Sequence, residues 1–172
     1  IDTFRALLER DTRMGEGVTP ADTAVDQMEL EIDQHTIELI AKMQPAAVDL
    51  RFVAAAMKIT PELERIADLA VDVCERAIEL NREPALKPLI DIPRLARMAQ
   101  DMVRQSLDAF VRRDTALARK VIAADDEVDA LTTETFHEHL GPMQEDSQNI
   151  SRAIRLTFVG KYFERMAHSA TN

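Results

Sequence analysis

Two stretches a hundred residues apart carry the same pattern. Residues 62–72 read ELERIADLAVD, and residues 162–172 read YFERMAHSATN. Glu64, Asp68 and Asp72 stand at i, i+4 and i+8 in the first, and Glu164, His168 and Asn172 in the second. An arginine follows each glutamate directly, Arg65 and Arg165. At about 100° per residue, this spacing lines the polar side chains along one stripe of a helix. Leu63, Ile66, Leu69, Val73 and Ala77 fall on the other side, so the acids are not core residues. A solvated amphipathic face is the ordinary outcome of such spacing. A surface face has no reason to recur in this form later in the chain.

The recurrence extends beyond that stretch. FRALLERDT at 4–12 resembles LDAFVRRDT at 107–115, and Asp22–Asp26 (DTAVD) resembles Asp125–Asp129 (DDEVD), both at an offset of 103. The glutamate motifs are offset by 100. A period this long, with only two copies, is not that of a solenoid. It reads as a duplicated three-helix unit. The expected fold is therefore all-α, a tandem repeat of two three-helix bundles, residues 1–83 and 92–172.

Composition agrees. Ala, Leu, Glu, Arg and Met are prominent, Gly is rare and Trp absent, the usage of a helical protein. With 21 Lys and Arg against 31 Asp and Glu, the net charge is −10. That argues against nucleic acid, whose binding depends on neutralising phosphates, and suits cations or a basic protein surface. The single Cys74 cannot build a disulfide framework and is read as core, which makes the cytoplasm the expected compartment. No run of 18 apolar residues is present, and no signal peptide is visible.

Taken in order, residues 1–13 read as a helix remnant and MGEGVTP (14–20) as a break. Thr19 and Pro20 then suit the cap and first position of a helix running to about Met43. Val25, Met28, Ile32, Leu39 and Met43 form its apolar side. Gln44-Pro45 turns the chain. A second helix starts near Ala46 and reaches Asn81, with a kink or restart expected at Pro61. The proline-rich stretch 81–93 is the linker. Pro93 opens a helix to about Arg113, Asp114 caps a short helix through Ile122, and Asp125 caps a longer one to about Leu140. Gly141-Pro142 through Asn149 is a turn, and the last helix starts at Ile150.

Consecutive helices joined by a short turn pack antiparallel. Residues equidistant from the turn then face each other, and their position numbers share one sum. Asp26 with Glu64 and Asp22 with Asp68 both sum to 90, centred on Pro45. Asp129 with Glu164 and Asp125 with His168 both sum to 293, centred between Asp146 and Ser147. Four carboxylates brought level repel unless protons or cations compensate. Clustered oxygen donors suit Mg, Ca or Mn, and an added imidazole also admits Fe or Zn. The competing reading pairs these acids with Arg65, Arg165 and nearby lysines on outward edges.

The chain resembles the PhoU family, the accessory and regulatory proteins of bacterial phosphate transport. The resemblance is carried by QPAAVDLR (44–51), LERIADLAVD (63–72), LKPLIDIPRLARMAQDM (86–102), RDTALARKVIAADDEVD (113–129) and FERMAHSATN (163–172). It implies two three-helix bundles in tandem. It also implies metal clusters held by paired acidic motifs; the ions expected there are iron or zinc, with magnesium or manganese as alternatives. The motifs fall on Asp22, Asp26, Glu64 and Asp68, and on Asp125, Asp129, Glu164 and His168. Family members usually carry Asp where His168 stands, and often His where Ser169 stands. The implied role is a non-enzymatic negative regulator of the phosphate-starvation response. Its implied partners are the ATPase subunit of the phosphate ABC transporter and a membrane sensor histidine kinase. It would be peripheral to the membrane through those partners, and homodimeric.

Rival readings have weaker support. A ferritin-like di-iron protein needs two E-x-x-H motifs, and only Glu134-x-x-His137 occurs. The hydrolase elbow G-x-S-x-G and the P-loop are absent. The main alternative is a metal-free helical adaptor whose acidic faces meet a basic partner. His35, His137 and His139 have no partner pattern and are read as surface or edge residues.

Overall fold

The structure, a computed structural model, describes residues 18–86 and 91–172. The helix expected over 1–13, most of the break that follows it and part of the linker lie outside the described residues. Among those described there are five α-helices, one short 3-10 turn and no strand. We label them α1 (Val18–Met43), α2 (Ala47–Asn81), α3 (Ile92–Arg112), α4 (Thr115–Glu145) and α5 (Ile150–Ser169), with the 3-10 turn at Ser147–Asn149.

Helices α3, α4 and α5 pack on one another as a three-helix unit, α1 and α2 form an antiparallel pair, and α2 also packs along α5. The core lies where α2 meets the second unit. Leu69, Val73, Ala77 and Leu80 of α2 interleave with Leu95, Ala99 and Met102 of α3, Val128 and Leu131 of α4, and Leu156, Val159 and Phe163 of α5. The α2 residues recur at i, i+4, i+8 and i+11, the stripe a helix turns toward a core. Cys74 is buried beside them, as expected.

Four expectations need correction. The described α1 already runs from Val18, so Thr19 and Pro20 lie inside it. Pro61 does not restart α2: one helix runs from Ala47 to Asn81. A proline ring removes one backbone donor, but packing of α2 on two neighbours outweighs that loss. Asp125 caps nothing, because α4 is continuous from Thr115 to Glu145 and carries Pro142 within it. The turn into α5 therefore begins at Asp146, whose Oδ1 accepts from the Gln148 amide at 2.9 Å.

The α3–α4 corner follows the sequence closely. Arg113 takes a left-handed conformation, φ 53°, which ends α3. The Asp114 carboxylate then accepts from the amides of Ala116 and Leu117, both at 3.0 Å, capping α4. This corner also ties α2 to the second unit. Phe52 of α2 stacks on Phe110 with centroids 4.5 Å apart, and the Arg113 guanidinium lies over the Phe52 ring.

Candidate functional site

The hairpin α1–α2 brings Asp22 and Asp26 to the level of Glu64 and Asp68. Asp22 feels the charges of Asp26 and Asp68, and Glu64 those of Asp68, Glu29, Asp26 and Asp22. Burial first, and then these like charges, raises the carboxyls of Asp22 and Glu64 above their ordinary range. Among the described residues, no Lys, Arg or His stands within ion-pair distance of the four.

The hairpin α4–α5 repeats the arrangement with different chemistry. Continuity of α4 leaves the Asp125 carboxylate free to face α5. There the His168 ring Nδ1 lies 3.1 Å from Asp125 Oδ2. Asp129 is raised by burial first, then by Glu164 and Asp125, while Lys161 and His168 oppose the rise. The Lys161 ammonium donates to Glu164 Oε2. So this set carries two potential cations of its own.

All eight residues expected from the sequence are thus brought into two facing groups of four. As the side chains stand, no three His, Cys, Asp or Glu among the described residues converge closely enough to ligate one ion. One detail favours inward-turning donors. Asp22 and Asp125, equivalent in the repeat, each bury one carboxylate oxygen (Oδ1) that has no hydrogen-bond partner among the described residues. Buried oxygens without donors are costly, and a hard cation would satisfy both. The donor sets suit such an ion in composition and lie level across each hairpin, without converging on one point as the side chains stand.

Two residues near these groups were missed. Glu29 adds to the first, and its place on the stripe of Asp22 and Asp26 (i+7 and i+3) was a readable signal. Lys161 lies one turn before Glu164 on the same helix face, and i, i+3 pairing gives that away. Arg65 and Arg165, proposed as neutralisers in the competing reading, are exposed and form no ion pair among the described residues. His35 and His137 are exposed, as expected. His139 is not a surface residue: it is 4% exposed, and its Nδ1 lies 3.0 Å from Thr157 Oγ1. Glu134 and His137, the half motif of a di-iron site, both face outward.

Elsewhere the described surface holds apolar hollows and an acidic trio, in which burial first, then Asp91 and Glu134, raises the Glu138 carboxyl. The larger hollow, about 600 Å³, is walled by Ile66, Ala70, Ala99, Leu107, Phe163 and Met166. No described helix is long and apolar enough to cross a membrane.

Comparison with known proteins agrees with this architecture. The family model for the PhoU domain matches twice, at residues 1–77 and 92–172. A relative from Aquifex aeolicus, described as a phosphate-specific transport system accessory protein PhoU homolog, is 40% identical over 160 residues, which is 93% of this chain and 72% of the relative. One of the same description from Clostridium acetobutylicum is 36% identical and covers 99% of this chain and 78% of its own length. The crystal structure of PhoU from Pseudomonas aeruginosa superposes with a TM-score of 0.94 at 34% identity, covering 99% of this chain and 82% of that one. PhoU from Streptococcus pneumoniae, at 22% identity and a TM-score of 0.90, shares the fold.

Proposed function

Because this chain belongs to the PhoU family, we propose that it is a regulatory accessory protein of a phosphate-specific transport system, without catalytic activity of its own. In this reading it works in the cytoplasm as a negative regulator. It contacts the ATPase subunit of the transporter and a sensor histidine kinase, and acts as a homodimer. Its two bundles are residues 1–83 and 92–172. The single observation that carries the reading is the repeated PhoU domain across nearly the whole chain. The net charge of −10 is compatible with docking on basic protein surfaces.

We also propose that the two facing donor groups bind metal. Asp22, Asp26, Glu64 and Asp68 would hold one ion or cluster. Asp125, Asp129, Glu164 and His168 would hold the other, with iron or zinc suited to the group that includes an imidazole and magnesium or manganese to the all-oxygen group. The bound charge would neutralise each group and pin its two helices together. The buried, partnerless oxygens of Asp22 and Asp125 support this.

Deleting the gene in its own host should switch on phosphate-starvation genes in phosphate-rich medium, with the intact gene restoring repression. Unchanged expression, with no second copy of the family in the genome, would refute the regulatory reading. Elemental analysis of protein purified without chelator or metal-affinity tag tests the metal. A metal-free preparation that still represses would leave the helical adaptor with acidic docking faces.

A further inference from the structure

We propose that Lys161 is a tethered counter-ion for the second donor group, and that it makes the two groups unequal in their demand for free metal. The first group must take its cation from solution. The second carries one, and admits a metal only by displacing the ammonium. This rests on the metal reading above.

The two repeats differ at one informative place. Three residues before Glu64 stands Pro61, and three residues before Glu164 stands Lys161. Proline offers no charge. Lys161 donates to Glu164 Oε2, and its charge reaches Asp129 across the hairpin, opposing the like charges of Glu164 and Asp125. On the far side of the group, His168 is bonded to Asp125. So three of the four second-group ligands are already engaged by Lys161 or His168, or stand in the field of both. None of the first four has a cation within ion-pair distance among the described residues.

Burial decides how firmly the ammonium sits. The Lys161 side chain is 56% exposed and Glu164 only 20%. An exposed lysine in such a pair is held weakly, so a divalent ion can displace it. The tether keeps the ammonium at high local concentration, however, and a free ion must outcompete it. A unit positive charge left about 5 Å from a bound divalent ion in a water-like dielectric weakens binding by about tenfold. The two groups therefore fill at different metal concentrations, and the protein has an intermediate state with only its first group loaded.

The test is a titration of chelator-treated full chain with Mn2+, reading the free ion by its paramagnetic resonance signal. The starting protein should show a tighter and a weaker site, with Glu64→Gln abolishing the tighter. Lys161→Met, close in size and uncharged, should tighten the weaker site by about tenfold, and Lys161→Arg should leave it weak. A weaker site unchanged in Lys161→Met, while the tighter site persists, overturns the proposal. A metal-free double-mutant cycle on thermal unfolding separates the two readings. Lys161→Met should lower the midpoint in the presence of Glu164 and not in Glu164→Gln. No coupling in that cycle refutes the counter-ion role. No Mn2+ bound by any variant refutes the metal reading, while the cycle still decides whether Lys161 neutralises the group.

Discussion

His168 Nδ1 and Asp125 Oδ2 meet at 3.1 Å across 43 residues of chain. The contact lies where hairpin packing brings α5 level with α4, and places an imidazole where a carboxylate would complete a four-acid group. His168→Asp should therefore change ion preference rather than fold. We expect Mg2+ to bind the second group more tightly, by about tenfold, and Zn2+ to lose its advantage. Competitive titration of the two ions against both proteins reads this directly, and an unchanged ratio means His168 is not a ligand.

The first group should be a stability liability without metal. The Asp22 carboxyl is raised above its ordinary 3.8 by burial and then by Asp26 and Asp68. A raised carboxyl binds its proton more tightly folded than unfolded. Its penalty is full above the folded value and disappears as pH falls toward 3.8. Asp22→Asn should thus stabilise the chelated protein at pH 7 by about 0.5 kcal/mol. That gain should vanish near pH 3.8, as checked by denaturant melts at several pH values.

His139 works in the opposite sense. Burial pushes its imidazole below the ordinary 6.5, so the folded state resists protonation more than the unfolded chain. Its contribution is full above pH 6.5 and is lost as pH falls through and below that value. His139→Gln, which keeps a donor for Thr157, should cost about 1 kcal/mol at pH 7.5. It should also flatten the loss of stability between pH 6.5 and 5. An equally steep acid limb in the variant would contradict this.

The facing groups were legible because hairpin geometry converts position numbers into neighbours. The shared sum through Pro45 placed Asp22 against Asp68 with no knowledge of side-chain contacts. Helix boundaries were less legible. Asp125 and Pro142 carry strong local signals for a start and a stop, yet tertiary packing of α4 against α3 and α5 carries the helix through both. His139 was misread because a lone histidine has no periodic partner in sequence. Its burial depends on Thr157 from another helix.

Gly160 lies inside α5, where glycine costs helix stability. A Cβ there would meet Ile92 Cδ1 at 3.5 Å and Leu95 Cδ1 at 3.6 Å, ordinary contact distances. Gly160→Ala should stabilise the protein by about 0.5 kcal/mol, measured by chemical denaturation. Destabilisation would mean the core is tighter than these distances imply.

Arg155 reaches across the unit boundary to Glu79, with Nε 3.4 Å away, and to Glu83. Arg152 donates to the Pro84 carbonyl at 2.7 Å. Arg155→Ala should cost about 1 kcal/mol and speed amide exchange at the end of α2 before it does so in α3. Uniform exchange changes would mean that this seam is not local.

These arginines and His168 stand on one unbroken helix. From Arg152 to His168, α5 advances about 24 Å at 1.5 Å per residue. One end of the rod holds the second donor group and the other is bolted to the close of α2. A rigid rod cannot rotate or slide at one end only. Any shift of the α5 backbone at His168 and Glu164 is therefore carried along the rod to Arg152 and Arg155, and so to Glu79 and Glu83, with no messenger side chains in between.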